Sequence, residues 1–165
     1  MHEFLGMTID LSRKGKVIIS MIDYILCMFE LLPEKMQRDI KKGKANPAGD
    51  NLFTVNKEDT VLLNEEDRTL VHSSTARLLF LGKRARPDIQ TVIAFLCTRV
   101  KVADEDDYKK LQRVMAYLYA TLYLPLILGV DGSGNIYWYK DGAHAVHADM
   151  TVSYTHLRAH ETQLH

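Results

Sequence analysis

Lys83, Arg84 and Arg86 crowd into a short joint between two apolar stretches, and cations so grouped neutralise nucleic-acid phosphates and release counterions with little regard to base sequence. From Arg77 to Lys101 six basic residues face a single acid, Asp88, whereas the whole chain balances 21 Lys and Arg against 21 Asp and Glu. The positive charge is therefore local. Arg113, on the outer face of a later helix with Lys109 and Lys110, is a further candidate phosphate contact. The competing reading of the joint is a solvated loop that pairs with the acids Asp104 to Asp107.

A second chemistry is offered by Asp141, at the end of the aromatic strand Ile136-Tyr137-Trp138-Tyr139. It could bind a metal, but two-metal phosphodiester hydrolysis needs several carboxylates that hold cations roughly 4 Å apart, and only Asp149 lies nearby. Gly142 directly after it fits a plain turn equally. His144 and His147 have a spacing seen in zinc sites, without a Cys or further His to complete a tetrahedral set. His156 and His160 form an i,i+4 pair in the tail. No Gly-rich phosphate loop and no Ser/His/Asp arrangement stands out.

The elements that must position these residues follow from periodicity, and they predict an α+β protein. Phe4, Met7 and Ile9, a turn at Ser12 to Lys16 and the β-branched Val17-Ile18-Ile19 predict an N-terminal β-hairpin. Ser20 and Asp23 resemble a capping box opening a helix that ends at Pro33, with a second short helix to Lys41. Residues 43–64 read as a loop. Three amphipathic helices then fill 65–124: one with Leu70, Leu78 and Leu81, one opened by Pro87 with Ile89, Val92, Ile93, Leu96 and Val100, one opened by Asp104-Glu105-Asp106-Asp107. They predict a compact bundle. Leu126 to Val130, the turn Asp131-Gly132-Ser133-Gly134 and residues 136–139 predict a second hairpin.

At 165 residues, 47% hydrophobic and 25% charged, the chain suits one globular domain. It has no apolar run near the roughly 20 residues of a membrane span and no secretion-signal pattern at its start, so an intracellular protein without a membrane partner is expected. Cys27 and Cys97 are expected as reduced thiols on apolar helix faces, in the core.

Taken in order, these segments resemble the distal part of a copia-type LTR-retrotransposon polyprotein. Glu3-Phe4-Leu5-Gly6-Met7 is similar to the family's Leu-Gly segment after the polymerase active site, and Ala85-Arg86-Pro87-Asp88-Ile89 to its Thr-Arg-Pro-Asp. Gln112-Arg113-Val114-Met115-Ala116-Tyr117-Leu118-Tyr119-Ala120-Thr121-Leu122 is similar to its Arg-Val-Leu-Arg-Tyr-Leu-Lys-Gly-Thr, although Tyr119-Ala120-Thr121 stands where Lys-Gly-Thr is usual. Trp138-Tyr139-Lys140-Asp141-Gly142-Ala143 resembles the start of ribonuclease H.

The resemblance implies that residues 1–42 are the end of the palm, with Phe4, Leu5 and Gly6 near the primer grip, and that 65–124 are thumb-like and connection-like helices holding an RNA–DNA or DNA duplex. Residues 125–151 would begin ribonuclease H, with Asp141 its first metal-binding carboxylate in an incomplete site. Mg²⁺ would serve the complete parent enzyme, an RNA-directed DNA polymerase with ribonuclease H, and none is expected on this chain. The polymerase Tyr-x-Asp-Asp is expected upstream of Met1, in the remainder of the polyprotein, and the parent in a cytoplasmic retroelement particle or the nucleus. Residues 152–165 resemble a translated sequencing adapter and are expected to take no part in the fold. The alternative is a stand-alone helical interaction module with no nucleic-acid role.

Overall fold

Four short strands, β1 (His2–Phe4), β2 (Met7–Asp10), β3 (Lys16–Ser20) and β4 (Leu126–Gly129), lie side by side in that order in one antiparallel sheet. The structure is a computed structural model that describes residues 1–55 and 61–130, together with the backbone of 142–144 and 153–155. Phe4, Met7 and Ile9, expected on one strand, are divided by a reversal: Phe4 pairs with Met7, leaving Leu5 and Gly6 as a two-residue turn at φ +50° and +75°. Two left-handed residues give the turn the hand that matches strand twist, and Gly6 takes that conformation without steric cost. The expected hairpin across Ser12 to Lys16 is present as the β2–β3 pairing.

The expected second hairpin joins Leu126 to Val130 with 136–139, and the latter lie outside the described residues. Leu126 to Gly129 pair on one side with β3, a partner the sequence does not announce, with Ile18 opposite Ile127 and Val17 opposite Leu128. An apolar β-branched strand needs a partner, and β3 supplies one at an edge that the first two strands leave open. This strand therefore belongs with residues 1–131, which form one compact unit; 132–165 form another. In the latter, Gly142–His144 pair antiparallel with Ser153–Thr155, so the tail contributes backbone pairing where none was expected.

Five α-helices occupy the first unit among the described residues: α1 (Ile22–Glu30), α2 (Glu34–Ile40), α3 (Glu65–Gly82), α4 (Gln90–Arg99) and α5 (Glu105–Ala120). Pro33 separates the first two. α1 starts after Met21 with no side-chain cap, so the expected Ser20–Asp23 box is not made. Asn64 caps α3 through the Asp67 N–H, and Asp104 with Asp107 forms a reciprocal capping box on α5. A 3₁₀ turn, Pro87–Ile89, leads into α4. Gly82 lets α3 and α4 approach, since a Cβ there would lie 2.9 Å from Ile93 Cδ1.

The predicted stripes of α3 and α4 meet in the core, where Leu78, Leu81, Val92, Ile93 and Leu96 are buried while Leu70 and Val100 are half-buried, and Leu111, Met115 and Leu118 of α5 are buried with them. Ile25 and Met28 of α1 and Met36 and Ile40 of α2 join the same cluster, so the bundle has five members rather than three. Both cysteines are free and exposed, correcting the expectation of core thiols. The buried stripe of α1 runs through Ile25, Met28 and Phe29 and that of α4 through Val92, Ile93, Phe95 and Leu96, which turns Cys27 and Cys97 outward. Among the described residues no helix is long and apolar enough to cross a membrane.

Candidate nucleic-acid interface

The basic joint is built by the end of α3, where helical carbonyls run out and cations complement the dipole. Lys83, its C-cap, is exposed. Arg84 folds back: Nη1 donates to the Phe80 carbonyl at 3.2 Å, and the guanidinium lies 3.6 Å from the centre of the Phe80 ring, which itself packs on Tyr24. Only part of its charge is offered outward.

Arg86 corrects the expectation of a phosphate contact, because it is 2% exposed. Nε and Nη2 donate to Asp88 at 3.0 and 2.8 Å, Nη1 to the Thr121 carbonyl at 3.0 Å, and Nη2 also to Thr121 Oγ1 at 2.7 Å. Tyr117 donates its hydroxyl proton to the same Asp88 carboxylate at 2.7 Å. Burial alone would raise the Asp88 carboxyl, but the hydrogen bonds from Arg86 and Tyr117 and the Arg86 charge outweigh it and hold the group below its ordinary range. The Arg-Pro-Asp segment is thus a buried clamp that fastens the α3–α4 joint to the end of α5.

The acids after Val102 are committed elsewhere as well, so the competing pairing of joint with acids is also not made among the described residues. Arg99 lies 3.0 Å from Asp107, and burial pushes that carboxyl up despite the Asp104 N–H and Arg99 beside it. Asp106 lies 2.8 Å from Lys110, which was expected outside on α5 and is instead 6% exposed. The Lys110 ammonium also donates to the Thr54 carbonyl at 2.7 Å and sits 4.5 Å above the Phe95 ring.

A second basic region lies between α2, the loop from Lys44 to Leu52 and α5. It is a cleft of about 410 Å³ whose wall carries Lys42, Lys44, Lys109, Lys110 and Arg113 against the carboxylates Asp39 and Asp106. Asp39 is held by Lys42 at 2.8 Å and by Gln112 at 3.1 Å. The guanidinium of Arg113 enters no ion pair among the described residues, and its Nε is shut from solvent with no hydrogen-bond partner. Arg113 is legible in the sequence as a cation on an outer helix face; Lys42 and Lys44 are not singled out there, and their signal is the run Lys41-Lys42-Gly43-Lys44. Lys109 and Arg113, four apart on α5, share its face.

Phe4, Leu5 and Gly6 form the β1–β2 turn and its approach, with Phe4 and Leu5 exposed. Asp141, with the histidines after Gly142 other than the backbone of His144, lies outside the described residues. Among those described, no group of three His, Cys, Asp or Glu converges as a metal set. Comparison of the chain with protein-family models, with curated proteins and with solved structures gives no match.

Proposed function

We propose that the chain is a distal part of a copia-type retrotransposon reverse transcriptase, and that its helical region binds RNA–DNA hybrid or duplex DNA through phosphates. In this reading the β1–β2 turn belongs to the palm beside the primer grip, and α3 to α5 are thumb-like and connection-like. Asp141 is the first ribonuclease H carboxylate, and Mg²⁺ serves the complete parent.

The reading rests on four motifs in the family's order and on one physical observation that carries the binding claim. Lys83, Lys44 and Arg113 remain without a protein counter-charge among the described residues, in the unit that carries three of those motifs. The clamp made by Arg86 and Asp88 gives the Arg-Pro-Asp motif an architectural role, so binding is assigned to Lys83, Arg84 and Arg113.

The test is the salt dependence of duplex binding. Each phosphate contact contributes a slope of roughly 0.9 in log affinity against log salt, so replacing Lys83, Arg84 and Arg113 by Ala should flatten it by up to about 2.7. An unchanged slope in a variant that keeps its circular dichroism would overturn the proposal and favour a helical interaction module.

A further inference from the structure

The α2–α5 cleft has features that contact with a duplex backbone alone does not require. Its wall is fixed: the Asn51 amide donates to Asp106 at 3.4 Å, and Lys110 bridges Asp106 at 2.8 Å and the Thr54 carbonyl at 2.7 Å. The Asn51 and Thr54 bonds tie the end of the loop, residues 51–54, to α5 before any ligand arrives, which lowers the entropy lost on binding. Both carboxylates of the wall are already engaged by Lys42 and Lys110. Lys109 has only a long contact, 3.5 Å, to Glu105 in a pair whose two side chains are mostly exposed, where solvent screens it.

What remains is Arg113 and Lys44 with no protein anion among the described residues, and a guanidinium whose Nε is buried and unpaired. A charged group without a counter-ion is costly where it is partly buried, and an anion in the cleft would supply that counter-charge and bond the guanidinium's Nη groups. Gly49 borders the guanidinium: a Cβ there would lie 3.7 Å from Arg113 Nη1 and would crowd Asn51 Oδ1 at 2.9 Å. The planar fork of Arg matches phosphoryl oxygens two at a time, whereas the lysines act as point charges around it. Leu52, Val92 and Ala116 add an apolar floor, and the volume of about 410 Å³ is that of a small-ligand site.

We propose that this cleft is a binding site for a compact oligophosphate group, seated on Arg113 with Lys44 and Lys109 around it. The site goes beyond the duplex reading: Arg113 is common to both, whereas Lys44, Lys109 and the loop over α5 belong to the cleft and Lys83 and Arg84 do not.

The experiment is titration of the full chain with pyrophosphate at low ionic strength, followed by calorimetry and by ³¹P resonance shifts. Saturable binding is expected. Arg113→Gln should weaken it by about tenfold, the size of one lost charge-assisted hydrogen bond, with Arg113→Lys between the two. Lys44→Ala, an exposed loop substitution with no reason to disturb folding, should also weaken it. Lys83→Ala with Arg84→Ala should leave pyrophosphate affinity unchanged. No saturable binding, or equal affinity in folded Arg113→Gln and Lys44→Ala, would overturn the site. Displacement of pyrophosphate by a short DNA duplex would identify a backbone phosphate as the source, and its persistence a free oligophosphate. The residues that are not shared keep the two failures distinguishable: Lys83→Ala with Arg84→Ala should flatten only the duplex salt slope, and Lys44→Ala should weaken only pyrophosphate binding.

Discussion

Arg86 and Lys83 lie three positions apart and have opposite fates. One is enclosed by Asp88, Thr121 and Tyr117, the other stands in solvent. Asp88→Asn would strip a buried guanidinium of its counter-charge, and the expected loss is on the order of 3 kcal/mol, the low end for a buried pair because Asp88 keeps 30% exposure. Lys83→Ala should change stability by no more than about 0.5 kcal/mol. Denaturant midpoints of the two variants check both. The pH dependence has a definite sign. Burial opposes the charged form of Asp88, yet its hydrogen bonds and the Arg86 charge hold its carboxyl below the ordinary value. Its contribution is therefore complete above the unfolded value of about 3.9 and is lost as pH falls through the lower folded value. Asp88→Asn should remove that part of the acid sensitivity, giving a smaller drop in midpoint between neutral pH and pH about 3 than the parent shows.

Elements are held by their ends. α5 carries Lys109, Arg113 and Tyr117, and its start is secured by Asp104, which accepts from the Asp106 and Asp107 N–H groups, both at 2.9 Å. Asp104→Ala should cost about 1–2 kcal/mol and be visible as a lower thermal midpoint. The β1–β2 turn offers the opposite kind of change. Leu5 occupies φ +50°, where its Cβ crowds the following carbonyl at a cost of roughly 1–2 kcal/mol. Leu5→Asn forms the Asn-Gly pair preferred in this turn, and the expected outcome is a gain of about 1 kcal/mol in denaturant unfolding. A loss would show that the exposed Leu5 side chain makes a contact worth more than the relief of strain.

On the scale of the whole molecule, the sheet ties the two ends of the first unit together. β4 follows α5 in the chain yet pairs with β3 near the start, so residues 1–20 and 126–129 fold as one piece with five helices attached. The sequence contains no Tyr-x-Asp-Asp, and Asp141 has only Asp149 near it in sequence. The purified chain should therefore show neither primer extension nor RNA-strand cleavage in Mg²⁺ or Mn²⁺. Primer extension that co-purifies with the chain and is missing from a mock preparation would contradict this.

The local instructions were readable from the sequence alone. Pro33, Pro87 and the acids from Asp104 to Asp107 mark helix ends because proline sterics and the helix dipole act within a turn, and the apolar stripes around Leu78 and Ile93 follow from helical period; the Asn64 cap, and the absence of a Ser20–Asp23 box, appear only in the structure. Residue types also showed where cations concentrate. Which cations remain free was decided only by tertiary structure. Arg86 meets Thr121 from 35 positions away and Lys110 meets Thr54 from 56, while Lys44 and Arg113 come to share a cleft whose carboxylates, Asp39 and Asp106, are paired with Lys42 and Lys110. The β4 pairing has the same origin, since Leu126 to Val130 declare a strand without naming its partner. Charge compensation and strand pairing depend on separation in space, and no period along the chain encodes a contact made between distant segments.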